Sequence, residues 1–198
     1  MDTLFNAWNT LRRNVLKDAI GPLMRDRARE LEQALDTVNQ NLVMYALASL
    51  DRGAAGIFLS VPASEEFVTR EQYERFMRPY DLAFLEAIRS RGDFHVLHAH
   101  GARLYFDAML DYPVDAISWA DREGGPSLAA ARGMTGRALM GGIAHGSFAY
   151  TSAAAIRREI RAAVGEAGRE GLFLAPGCAL ATYTFPELIR AARDEARR

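Results

Sequence analysis

His98 and His100 stand one residue apart at the end of a short apolar run, Phe94-His95-Val96-Leu97-His98-Ala99-His100-Gly101. On a strand the side-chain period of two turns both imidazoles to one face, where they can converge on one ion or substrate. His95, three residues before His98, then faces the other way and reads as structural. The only cysteine, Cys178, closes a second run of the same kind, Leu172-Phe173-Leu174-Ala175-Pro176-Gly177-Cys178. Two imidazoles and a thiol at the ends of two strands are ligand types that hold zinc. Each has a plainer alternative: the histidines as hydrogen-bonded scaffold, the cysteine as a small buried apolar side chain. The Pro-Gly-Cys setting just past a strand argues against the second.

These residues need elements that bring the two strand ends together. Residues 3–8 read as a strand, and 11–50 as a helical stretch broken near Gly21-Pro22, since proline lacks the amide that a helix interior requires. Within it Leu31, Leu35, Val38, Leu42 and Tyr45 recur at spacings of three and four, one apolar stripe. A short buried strand follows at 54–60. A helix over 69–91 opens on Thr69 with Gln72 three residues on, a capping-box pattern, and ends at Gly92. Strands at 95–98, 114–118, 138–143 and 172–175 then alternate with helices at 103–110, 127–133, 151–169 and 185–198.

That is six strand-then-helix units without a Pro/Ser-rich linker or a low-complexity segment, so 1–198 reads as one domain. Regular alternation implies a parallel sheet, because each crossover returns the chain to the same end. Ser60, His98, His100, residues 118–121, His145 and Cys178 all fall at or just after strand C-terminal ends. In a (βα)8 barrel those ends form one mouth, where active sites sit. Short, evenly spaced strands suit such a barrel as well as an open doubly wound sheet; the polar residues at the strand ends favour the α/β barrel, although six units do not close eight strands.

Composition limits the partners. The chain has 198 residues, 49% of them hydrophobic, enough for one good core, and a formal net charge of −1, which gives no basis for a nucleic-acid or anionic-membrane surface. The arginine-rich end, 191–198, reads as a solvated helix face. One cysteine excludes an internal disulfide and leaves Cys178 free for metal or redox work in a reducing cytoplasm. No apolar run approaches the ~20 residues of a membrane span, and no signal pattern opens the chain. A soluble cytoplasmic protein is expected.

Arg52-Gly53-Ala54-Ala55-Gly56-Ile57-Phe58-Leu59, Leu97-His98-Ala99-His100-Gly101, Val114-Asp115-Ala116-Ile117-Ser118, Leu139-Met140-Gly141-Gly142-Ile143 and Ala175-Pro176-Gly177-Cys178, ending in Phe185-Pro186-Glu187, together resemble the uroporphyrinogen decarboxylase superfamily. That superfamily also holds cobalamin-dependent methyltransferases, which pass a methyl group from a corrinoid to a thiol such as coenzyme M. The resemblance runs over essentially the whole chain and implies a (βα)8 barrel entered at its third strand, and a homodimer. Its decarboxylase branch is cofactor-free and uses N-terminal arginines and an acid, a third-strand tyrosine and a last-loop histidine. Here the last-loop position is Cys178, and Leu4 and Phe5 occupy the tyrosine's neighbourhood.

The methyltransferase branch carries His-x-Cys and a last-loop Cys as zinc ligands. The resemblance places His98 and Cys178 at the first and last of these, with His100 where a cysteine is usual. Imidazole is a competent zinc ligand, and trading a thiolate for it leaves the ion more positive and more Lewis acidic. The expected chemistry is zinc-dependent methyl transfer from a methylated corrinoid, on a partner protein, to a small-molecule thiol. A tetrapyrrole decarboxylase and a non-catalytic barrel fragment are the alternatives.

Further candidates lie at other strand ends. His145 follows Gly141-Gly142-Ile143-Ala144 and reads as a fourth ligand, an acid/base group, a substrate contact or a loop histidine. Asp121 reads as a second catalytic group, and Arg122 and Arg103 as contacts for a polar or acidic substrate, with a solvated loop as the alternative for all three. Gly101, Gly124-Gly125 and Gly141-Gly142 let backbone approach a ligand closely but form no phosphate-binding fingerprint.

Overall fold

The computed structural model describes residues 1–14 and 17–198. Six strands lie side by side in chain order, all parallel: β1 (Asp2–Phe5), β2 (Ile57–Val61), β3 (Val96–Ala99), β4 (Ala116–Trp119), β5 (Ala138–Ile143) and β6 (Leu172–Pro176). Helices fill the crossovers: α1 (Ala7–Asn14), α2 (Ile20–Asp26), α3 (Ala28–Asp51), α4 (Arg70–Phe76), α5 (Arg78–Ile88), α6 (Leu128–Met134), α7 (Ala153–Ala167) and α8 (Pro186–Ala196). This is an α/β fold of the (βα)8 barrel type with six units, β1 and β6 being its edges.

The sheet is curled. Neighbouring strands lie roughly 4.8 Å apart, so a flat sheet would hold β3 and β6, three strands apart, at about 14 Å. Instead the rings of Phe94, just before β3, and Phe173, on β6, meet at 5.3 Å between centroids. Alternation turns Thr3, Phe5, Phe58, Ser60, His98, Ser118 and Met140 to the concave face. Leu59, Leu97, Ile117 and Leu139 face outward, into a core shared with Leu31 and Leu35 of α3 and with Phe84 and Ile88 of α5. Burying a side chain such as Leu35 or Ile88 is worth roughly 1.5–3 kcal/mol. β3 and β4 are buried on both faces, so their residues are apolar apart from His98 and Ser118. A second cluster, Ile143, Phe148, Ile156, Ile160 and Leu188, seats α7 and α8.

Several local boundaries differ from the expectation. β1 ends at Phe5, and Trp8 lies in α1, because Asn6 turns the chain by accepting the Asn9 N–H at 3.0 Å. The stretch 11–50 is three helices rather than one broken at Gly21-Pro22; residues 15 and 16 of that expected helix lie outside the described residues. Pro22 falls in the first turn of α2, where an amide has no intrahelical partner to lose. Tyr45 is exposed rather than part of the apolar stripe. Thr69 and Gln72 do form the capping box, yet the helix they open stops at Met77: Pro79 has no amide for the carbonyl four residues back. Residues 103–110 hold only a 3-10 turn, Phe106–Met109, since Leu104 bridges Ser64 and the Tyr105 N–H donates to Ala63 O at 2.9 Å. Among the described residues no helix is long and apolar enough to cross a membrane.

Candidate metal and substrate site

β3 delivers two imidazoles to the concave face. His98 pairs with Ser60 on one side and Ser118 on the other. His100 lies one residue past the strand, but its N–H still donates to Val61 O at 2.8 Å, so the pleat continues and both rings keep the same face. Gly101 then leaves the strand at φ +124°, where a side chain would be strained and a Cβ would fall 2.0 Å from Ser64 Oγ.

Cys178 arrives from the other edge. The Gly177 N–H donates to Ile143 O at 3.0 Å, which holds the chain along β5 beyond the end of β6. A Cβ on Gly177 would stand 2.4 Å from Ala120 Cα, so only glycine lets the segment pass this closely. The ligand atoms of His98, His100 and Cys178 consequently lie within 4.8 Å of one another, although they come from opposite parts of the sheet.

The donor set fits a metal. His98 is buried, stacks on Phe58 with centroids 5.4 Å apart, and joins Ser118 Oγ through Nδ1 at 3.2 Å, which leaves Nε2 as its coordinating atom. Burial, with the nearby charges of His100 and His145, pushes its pKa down to about 4. At neutral pH the ring is therefore uncharged and offers a lone pair. His100 is exposed at the mouth, tilted against Phe67 at 5.7 Å, and its pKa is likewise lowered by burial, His145 and Arg13. Two imidazoles and one thiol suit zinc, and two bonds of roughly 2.0–2.3 Å each put the observed spread on the scale of a single shared ion.

The three donors open into a cavity of about 550 Å³ inside the curl. Phe5, Phe58, Phe67 and Met140 give it apolar walls, and Asn9, Arg12 and Arg13 of α1 close one side. His145 lies outside this donor cluster but lines a smaller cleft of about 140 Å³ together with His100 and Cys178. Its Nδ1 stands 3.1 Å from Glu123 Oε2, and Glu123 is itself fixed by the Gly146 N–H at 2.8 Å.

The other three expected site residues are engaged elsewhere. The Asp121 side chain is buried, accepts the Gly142 N–H at 2.7 Å and lies 3.2 Å from Arg122 Nε; burial raises its carboxyl pKa. Arg122 continues to Glu166 at 2.7 Å, so this pair braces the end of β5 against α7. Arg103 is exposed and bound to Glu65 and Glu66 at 2.8 and 3.0 Å. His95 accepts the Ile57 N–H at 3.2 Å and contacts Arg91 O at 2.7 Å, a structural role in keeping with its place in the strand. Arg12 and Arg13 were not expected at the site: the sequence puts them in a helix from residue 11 onward but does not show which of its faces meets the sheet.

The family model for uroporphyrinogen decarboxylase (URO-D) matches residues 18–198. No curated protein matches the chain. Among solved structures, a methyltransferase from Methanosarcina mazei superposes with a TM-score of 0.84 at 22% identity, over 98% of this chain and 57% of that one. A Listeria monocytogenes protein assigned as a vitamin-B12 independent methionine synthase gives a TM-score of 0.58 at 17% identity, over 98% of this chain and 63% of the other. The chain thus spans about three fifths of the length of these structures, and the likeness to them is one of fold. With the family model running from residue 18 to the last residue, the chain belongs to the uroporphyrinogen decarboxylase family.

Proposed function

We propose that this chain carries a zinc-dependent site that methylates a small-molecule thiol, with the methyl group delivered by a methylated corrinoid on a partner protein. The observation that carries the reading is the convergence of His98, His100 and Cys178 at the wall of an apolar cavity. Zinc, when bound, supplies an acidified thiol at its open position, ionised near neutral pH. His98 contributes a neutral ring whose direction Ser118 holds. Cys178 is the only thiol of the donor set, so the site carries less negative charge than one built on two cysteines. Phe58, Phe67 and Met140 present apolar surface to the same cavity.

His145 takes the proton that the arriving thiol loses. Its ring shares a cleft with His100 and Cys178, and its Nδ1 stands 3.1 Å from the Glu123 carboxylate. A methylated corrinoid would supply the methyl group, the new sulfur–carbon bond replacing the carbon–cobalt bond and the electron pair of the latter remaining on cobalt.

Elemental analysis of the purified chain at neutral pH tests the reading, comparing wild type with Cys178→Ser and His98→Ala. Zinc near one per chain, lost in both variants, together with zinc-dependent methylation of thiols by methylcobalamin, is the expected result. A folded wild type that takes up no zinc when supplied with it would overturn the proposal.

A further inference from the structure

One side of the cavity is closed by α1, a helix of eight residues. A helix this short does not hold itself, so tertiary contacts keep it in place. Trp8 and Leu11 are buried beneath it. Asn6, just before its first residue, works in two directions: Oδ1 accepts the Asn9 N–H at 3.0 Å, and Nδ2 donates to Asp81 Oδ1 of α5 at 2.9 Å. That second bond crosses from the cavity wall to the helical layer.

Two groups under α1 are buried at a cost. The Trp8 indole N–H has no acceptor among the described residues, an unmet donor that water would satisfy. Asp81 is enclosed without a cation: its carboxyl meets Asn6 Nδ2 and the Tyr112 hydroxyl, at 3.0 Å, which in turn meets the Tyr73 hydroxyl of α4 at 2.6 Å. The charges on the surrounding elements turn elsewhere. Arg78 of α5 binds Asp111 and Ala108 O and lies 3.7 Å from Glu74 of α4, which also pairs with Arg70. Glu32 of α3 holds Arg75, and Arg12 and Arg13 of α1 lie over the rings of Phe67 and Phe5. Burial therefore decides the state of Asp81 and pushes its pKa up to about 7.

We propose that α1 is a pH-released lid of the cavity: when Asp81 ionises, Asn6 parts from it and α1 lifts, letting water reach both Asp81 and Trp8. A carboxylate is better solvated by water than by two neutral donors, so the closed lid holds a protonated Asp81 and the lifted lid an ionised one. Lifting releases one proton. By linkage, the ratio of lifted to closed helix grows with pH by up to about tenfold per unit, from the ordinary carboxylate value near ~4 to the raised one, and levels off above it. The cavity is closed in acid and opens toward neutrality. The device needs the helix and the cavity alone, whatever the donor cluster holds.

Hydrogen exchange on the full chain, read by mass spectrometry and corrected for the intrinsic rate at each pH, tests the lid. From pH 5 to 8 the α1 amides should lose at least about tenfold in protection, while those of α7 keep theirs. Asp81→Asn cannot ionise, and its α1 profile should be flat. Tyr112→Phe removes a donor that favours the charged form, so its loss of protection should level off at a higher pH than in wild type. If Asp81→Asn does not fold, that shift decides alone. Protection of α1 that is constant across the range in wild type, or that falls alike in wild type and Asp81→Asn, would overturn the inference. So would a Tyr112→Phe profile identical to wild type, or a loss in α1 and α7 together, which would assign the proton release to global unfolding.

Discussion

A single hydroxyl fixes the orientation of the buried imidazole. Ser118 Oγ meets His98 Nδ1 at 3.2 Å, so the ring presents Nε2 to the cavity rather than turning its other nitrogen there. Partners of this kind typically change metal affinity ten- to hundredfold. Ser118→Ala should therefore weaken zinc binding by about tenfold or more while the chain stays folded, as read by competition with a chromophoric chelator. His98, His100 and Cys178 were legible in the sequence because strand parity is local and Pro-Gly-Cys marks a strand end. Asp121 and Arg122 looked equally placed, at a strand end, but the sequence does not show that Glu166 and the Gly142 amide lie within their reach. Arg12 and Arg13 were hidden for the opposite reason: their direction depends on where α1 begins, and only the Asn6 cap sets that.

At the scale of elements, one buried acid ties α1 to the helical layer. Asp81 accepts from Asn6 Nδ2 at 2.9 Å and from the Tyr112 hydroxyl at 3.0 Å, and Tyr112 meets the Tyr73 hydroxyl at 2.6 Å. Burial outweighs these donors and pushes its pKa up to about 7. The folded state then holds a proton that the unfolded state releases above about pH 4, so this contribution to stability is full below pH 4 and is lost as pH rises toward 7. Asp81→Asn should remove that dependence. Denaturant unfolding from pH 4 to 8 is expected to show wild type losing a few kcal/mol relative to the variant, since one proton held only by the folded state costs about 1.4 kcal/mol for each pH unit climbed. A signal for this acid is present in the sequence but was not drawn on: Asp81 falls on the apolar face of α5 with Met77, Phe84, Leu85 and Ile88. Its partners, Asn6 and Tyr112, come from segments that periodicity cannot pair.

For the molecule as a whole, alternation of short apolar strands with helices made the parallel sheet readable, while the barrel order followed from the polar residues at strand ends and from the family resemblance. The curl was not readable, because it arises from contacts such as Phe94 on Phe173 between segments far apart in the chain. Among the described residues β1 and β6 each keep one edge without a strand partner. Such edges seek other strands, and Phe173 is 45% exposed on β6. Sedimentation velocity at rising concentration should show this chain self-associating; one concentration-independent monomer species would count against open edges in solution. β6 is also far less buried than β3 and β4, and Cys178 follows it directly. A metal shared by Cys178 and the two histidines of β3 would act as a rivet through the rim, fastening a weakly covered strand to a fully covered one. Loading the ion and securing the last unit of the fold then become one event, and a metal-starved chain comes undone first at its own margin.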